Sequence, residues 1–139
     1  MKKRIFAVIA AIIACFVLVA CGKKPLTIIT ENGNKYLILK PESNFASETL
    51  KAYMDHLKEN GELDFTEKDG MITSINGTEN ADGYYWMLYT DDAANSNDAW
   101  GTCEYDGKIY SSASYGAESL IIAENKTYVW LFQNLNANG

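Results

Sequence analysis

Three turn pairs constrain the fold more than any other feature of the chain. Asn32-Gly33, Asn76-Gly77 and Asp106-Gly107 each stand between runs of β-branched, aromatic and aliphatic residues. Residues that tolerate positive φ at both central positions allow the two-residue turn whose twist matches antiparallel strands, so such pairs between apolar runs signal hairpins. The first hairpin joins residues 26–30 to 35–39, and the last joins 99–105 to 108–112. Residues 71–75 and 84–90 read as further strands, the second so aromatic that it is expected at the centre of a sheet. A polar loop over 91–98 follows it, and residues 127–132 close the sheet.

One stretch has a different period. Pro41 stops the second strand, Glu42-Ser43-Asn44 offers N-caps, and Leu50, Tyr53, Met54 and Leu57 recur at i, i+3, i+4 and i+7. This predicts an amphipathic helix over about 46–60, ended at Asn60-Gly61. One helix packed on a mostly antiparallel sheet is an α+β domain. It covers residues 26–133, with 134–139 as a polar tail expected to fray. There is no internal repeat and no low-complexity segment.

Upstream of the domain, Lys2-Lys3-Arg4 precedes an uncharged, apolar run from 5 to 20. A basic n-region followed by an apolar h-region is the pattern of a cleaved signal peptide over residues 1–20. It ends in Leu18-Val19-Ala20-Cys21, which has the form of a lipobox. Small Ala20 suits the position before the cleaved bond, and the Cys21 sulfur is the nucleophile that takes a diacylglycerol. Two or more acyl chains such as palmitate make a stable anchor where one does not. Cys21 is therefore expected to hold the chain to the extracytoplasmic face of the cell membrane. Residues 21–25 form a tether, in which Lys23 and Lys24 favour an anionic leaflet by about 1 kcal/mol each.

After cleavage the chain keeps all 18 acidic residues and loses three of its 12 basic ones, so its net charge is 9 − 18 = −9. Nucleic acid is thereby excluded as an expected partner, because no basic stripe follows Lys24. Cys15 leaves with the signal and Cys21 is acylated, so Cys103 has no disulfide partner and is expected as a small buried hydrophobe. One His and no Cys/His cluster give no zinc site. Asp91, Asp92 and Asp98 lack the spacing of a calcium loop and read as a solvated turn. His56 reads as a helix-surface residue. No nucleophile signature is present, so no catalytic residue, metal or resident cofactor is expected.

The aromatic surplus is the remaining candidate for function. Fifteen of the 17 Phe, Tyr and Trp follow residue 20, enough for a core and for a stacking surface. On the strand over 84–90, Tyr84, Trp86 and Leu88 face one side and Tyr85, Met87 and Tyr89 the other. Trp86, Leu88 and Trp130 are expected in the core, and Tyr85 with Tyr89 as a partly exposed patch. Trp100, beside Gly101, is the leading single candidate for a ligand contact. The expected ligand-binding set is thus Trp100, Tyr85, Tyr89 and Trp86.

A hairpin, a helix, then Gly70-Met71-Ile72-Thr73-Ser74-Ile75-Asn76-Gly77 and Gly83-Tyr84-Tyr85-Trp86-Met87-Leu88-Tyr89 resembles bacterial domains related to the C-terminal β-domain of transcobalamin and intrinsic factor. The resemblance implies a β-grasp-like fold over residues 26–133, common in surface lipoproteins. It also implies a corrinoid or similar planar ligand, bound without catalysis and handed to a membrane transporter. The acidic loop over 91–98 departs from that family's tight turn. In the animal proteins a helical barrel supplies the other half of the corrinoid cleft, and this chain has no room for one. The alternative class is a structural lipoprotein that docks another envelope protein or serves adhesion.

Overall fold

The computed structural model describes residues 24–136. The expected signal peptide over residues 1–20 with Ala20, the expected lipidation site Cys21, and the last three residues of the tail lie outside the described residues. Strands β1 (Leu26–Glu31) and β2 (Asn34–Leu39) precede helix α1 (Leu50–Glu59). Strands β3 (Phe65–Lys68), β4 (Met71–Ile75), β5 (Thr78–Glu79), β6 (Tyr84–Thr90), β7 (Ser96–Tyr105), β8 (Lys108–Ala113) and β9 (Tyr128–Asn134) follow. The class is α+β, with one helix among the described residues and antiparallel ladders throughout. All three turn pairs have positive φ at both positions, for example 52° at Asn32 and 81° at Gly33, as this hairpin turn requires.

The strands form two sheets rather than one. Six are ordered β1-β2-β9-β6-β8-β7, and β3-β4-β5 make a smaller sheet. Strand β6 lies inside the larger sheet, as its aromatic content predicts. Strand β9 also lies inside, between β2 and β6, because both its faces are apolar: Tyr128 and Trp130 are buried on one side, Val129 and Leu131 on the other. Helix α1 and the small sheet cover the first side, where Leu50, Tyr53, Met54 and Leu57 meet Leu37, Leu39, Trp86, Leu88 and Trp130. At roughly 1.5–3 kcal/mol for each fully buried large apolar side chain, this layer supplies most of the driving force for folding.

The second face is covered by the sheet itself. Tyr36 on β2 and Tyr105 on β7 lie 5.9 Å apart between ring centroids, although β9, β6 and β8 separate their strands in the sheet order. Strands β7 and β8 shift register between Asn97 and Thr102, and a bulge of this kind bends a strand. Beyond it the hairpin folds back, so that Cys103 and Tyr105 pack on Tyr36, Ile38, Tyr89, Tyr110, Val129 and Leu131.

The helix starts later than its periodicity suggests. Residues 43–45 form a separate turn, and Thr49 is the N-cap, its hydroxyl accepting from the Ala52 N–H at 3.1 Å. Residues 47–50 are instead held to the loop before β9, with the Ser47 N–H donating to the Ile122 carbonyl and the Leu50 N–H to that of Leu120. That long-range pairing competes with helix and wins. At the other end Gly61 (φ 74°) and the Glu62 N–H to Leu57 carbonyl bond close the helix in a Schellman turn. The start of the tail is also tied down, because the Leu135 N–H donates to the Gly83 carbonyl at 2.9 Å.

Candidate functional site

The larger sheet forks between β6 and β8. These strands pair only through Tyr89↔Ser112 and Thr90↔Ser111, whereas β6 pairs with β9 along its whole length from Tyr84 to Thr90. On the forked side the edge of β6 is met by local groups. The Trp86 N–H donates to Asn80 Oδ1 at 3.0 Å, and Asn80 Nδ2 donates to the Ile72 carbonyl at 3.2 Å. Asn80 thus ties the small sheet to β6 just where the ladder is missing.

The fork opens into a cleft of about 260 Å³. Trp86, Met87 and Leu88 form one wall, and Ser112 and Ala113 with the loop over 114–117 form the other. Gly70, Met71 and Ile72 border it from the small sheet, and Trp130 lines it from β9. Most of this lining is apolar, and none of it is a carboxylate, imidazole, amine or thiol. Met71 and Tyr115, 63% and 55% exposed, stand at the rim.

Trp130 is the unusual member of this set. Its side chain is 4% exposed, yet its indole Nε1–H has no hydrogen-bond partner among the described residues. A buried donor left unpaired costs about 1–3 kcal/mol, and nearly all buried polar groups avoid it. Trp86, two strand positions from Leu88 on the same face, shows the ordinary arrangement: its indole N–H donates to the Thr78 carbonyl at 2.8 Å.

The residues expected to bind ligand separate in the structure. Trp86 is buried and lines the cleft. Tyr89 is a correction: it is 6% exposed rather than part of an exposed patch. The folded-back hairpin covers it, its hydroxyl donates to Gln133 Oε1 at 2.6 Å, and burial pushes that hydroxyl above the ordinary phenol range. Tyr85, on the same face, remains 41% exposed but is not part of the cleft. Trp100 is 65% exposed in the β7 bulge, with open space around Gly101, and it too lies outside the cleft lining. Met71 and Ser112 read from the sequence only as strand residues, and Tyr115 and Ala117 only as part of a turn-rich segment after a strand.

The acidic loop is more ordered than a solvated turn. Asp92 is buried and accepts from the Ala94 N–H and Asn95 Nδ2, and Asp91 accepts from the Thr127 N–H and pairs with Lys108 at 2.6 Å. Cys103 is a free thiol that burial pushes up to about 12, which keeps it protonated and unreactive at neutral pH. His56 is exposed, in hydrogen-bonding distance of Asn60 and beside the Phe45 ring.

Residues 51–99 match a family described as a domain of unknown function, DUF4430. The match covers about a third of the chain, from α1 into β7, and includes Met71, Ile72 and Trp86 to Leu88 but not the opposite wall of the cleft. No curated protein and no solved structure matches the chain.

Proposed function

We propose that this chain is a non-catalytic ligand-binding module, anchored through Cys21 to the extracytoplasmic face of the membrane, with the forked cleft as its binding site. The observation that carries this reading is the apolar cleft itself, bordered by Trp130, whose buried indole N–H has no partner among the described residues. A flat apolar group would fit this surface, and a carbonyl or similar acceptor on it would reach the Trp130 donor on a shift of the indole. A small apolar pocket with few polar groups that fix orientation is the usual form of a small-molecule site. The lack of acids and bases in the lining supports binding rather than chemistry.

The finer version, a β-grasp-like domain presenting a corrinoid to an uptake system, rests on the resemblance to the transcobalamin β-domain. A corrinoid exceeds 260 Å³, so it would lie across the rim formed by Met71 and Tyr115 with only one edge or side group inserted. Three tryptophans give three indole N–H signals in a ¹⁵N spectrum of the protein. Titration with cobalamin, and separately with small flat aromatic carbonyl compounds, should move the Trp130 signal and leave that of Trp100 in place. Failure of cobalamin alone, at high micromolar concentration, removes the corrinoid version. Movement of Trp100 with Trp130 unchanged refutes the cleft as the site.

A further inference from the structure

The end of the sheet from which the tether departs carries a second, polar pocket. A single rung, Leu26↔Leu39↔Tyr128↔Thr90↔Ser111, crosses β1, β2, β9, β6 and β8. Just beyond it Lys40, Asp91, Lys108, Lys126 and Thr127 line a cavity of about 210 Å³. The Lys40 N–H donates to the Pro25 carbonyl at 2.9 Å, so the chain leaves the domain beside this pocket, with Cys21 four residues before Pro25.

Three of the eight described lysines gather there. Lys51 and Lys58 have carboxylate partners elsewhere in the fold. Lys40 and Lys126 are half-buried and have no ion pair among the described residues. The one carboxylate lining the pocket, Asp91, is already held by Lys108 and by the Thr127 N–H, and Glu42 and Glu124 are exposed neighbours in the chain.

We propose that Lys40, Lys126 and Lys108 dock the domain end-on onto anionic phospholipid headgroups, with a lipid phosphate entering the pocket between them. This inference rests on the anchored reading of Cys21. A span of five residues reaches about 17 Å at most, which brings this end to the leaflet. A mature chain of net charge −9 held that close to a negative surface is repelled unless the facing end offers cations, and Lys40 and Lys126 stand there with no ion pair among the described residues. The expected contribution is about fivefold in membrane partition per lysine.

The full chain, processed by its host and reconstituted into vesicles, tests the proposal through amine labelling read peptide by peptide, with exposed Lys68 as internal standard. Phosphatidylglycerol in the vesicles should slow labelling of Lys40 and Lys126 at least fivefold relative to Lys68, and pure phosphatidylcholine should not. Equal rates in the two vesicles overturn the proposal. So does equal protection by inorganic phosphate with phosphatidylcholine vesicles, which would mark a soluble-anion site. The mass of the N-terminal peptide reports separately whether Cys21 is acylated. If it is not, the anchored reading fails by itself, and docking is then read from sedimentation with phosphatidylglycerol vesicles. There Lys40→Gln with Lys126→Gln should weaken partition about 25-fold, and unchanged partition overturns docking.

Discussion

Trp86→Phe and Trp130→Phe delete the same atoms from the same side of the larger sheet, and the two should have different costs. Each removes three ring atoms from a buried site, a loss of roughly 1–2 kcal/mol. At Trp86 the change also removes the bond to the Thr78 carbonyl, worth about 1 kcal/mol, for a total of about 2–3 kcal/mol. At Trp130 it removes an unpaired donor, whose relief of about 1–3 kcal/mol offsets the lost packing and leaves a change near zero. The gap of about 2 kcal/mol corresponds to roughly 8 °C in Tm for a domain of this size. Thermal melts of the two variants beside the parent protein measure it directly. Equal losses in Tm would mean that the Trp130 N–H is satisfied in the folded protein and that no donor is held in reserve for a ligand.

Other expectations follow from single contacts. Asn80→Ala removes the two side-chain bonds through which Asn80 joins Ile72 to the free edge of β6 and should cost about 2 kcal/mol, read by urea unfolding. Faster amide exchange at Trp86 should accompany the loss, and unchanged exchange there would refute the tie. Gly61→Ala, at a φ of 74° in the Schellman turn, should cost about 1–2 kcal/mol, measurable in the same assay; a neutral result would show that the helix end can rearrange. Burial raises the Cys103 thiol from 9.0 to about 12 and the Tyr53 hydroxyl from 10.0 to about 12. Both groups are neutral below their unfolded values in either state. Above pH 9 the unfolded chain releases these protons first, so stability is lost progressively between about pH 9 and pH 12. Melts across that window test the direction, and Cys103→Ala should shift the onset upward. Rapid alkylation of Cys103 at pH 8 in the native protein would contradict its burial.

Turn chemistry and helical period were legible because each is written in neighbouring residues. Asn32-Gly33, Asn76-Gly77 and Asp106-Gly107 turn where they must, and the stripe of Leu50, Tyr53, Met54 and Leu57 is buried as its spacing requires. The aromatic strand β6 is internal for the same kind of reason. Local signals could not show where pairing stops. The helix begins at Leu50, after the Thr49 N-cap, rather than near Ala46, because residues 47–50 find partners at 120–122. Tyr89 was lost to the core because a bulge between Asn97 and Thr102 folded a distant hairpin over it.

The cleft depends on the same kind of event. Its walls come from residues 70–72, 86–88, 112–117 and 130, and no segment of the chain contains more than one of them. Trp130 is indistinguishable from any core tryptophan until a ladder that ends after two pairs leaves a gap beside it. Hydrogen-bond satisfaction is a property of the assembled neighbourhood, because a donor is unpaired only when every group packed around it is an apolar one. For this protein that neighbourhood exists only after four separate parts of the chain have met.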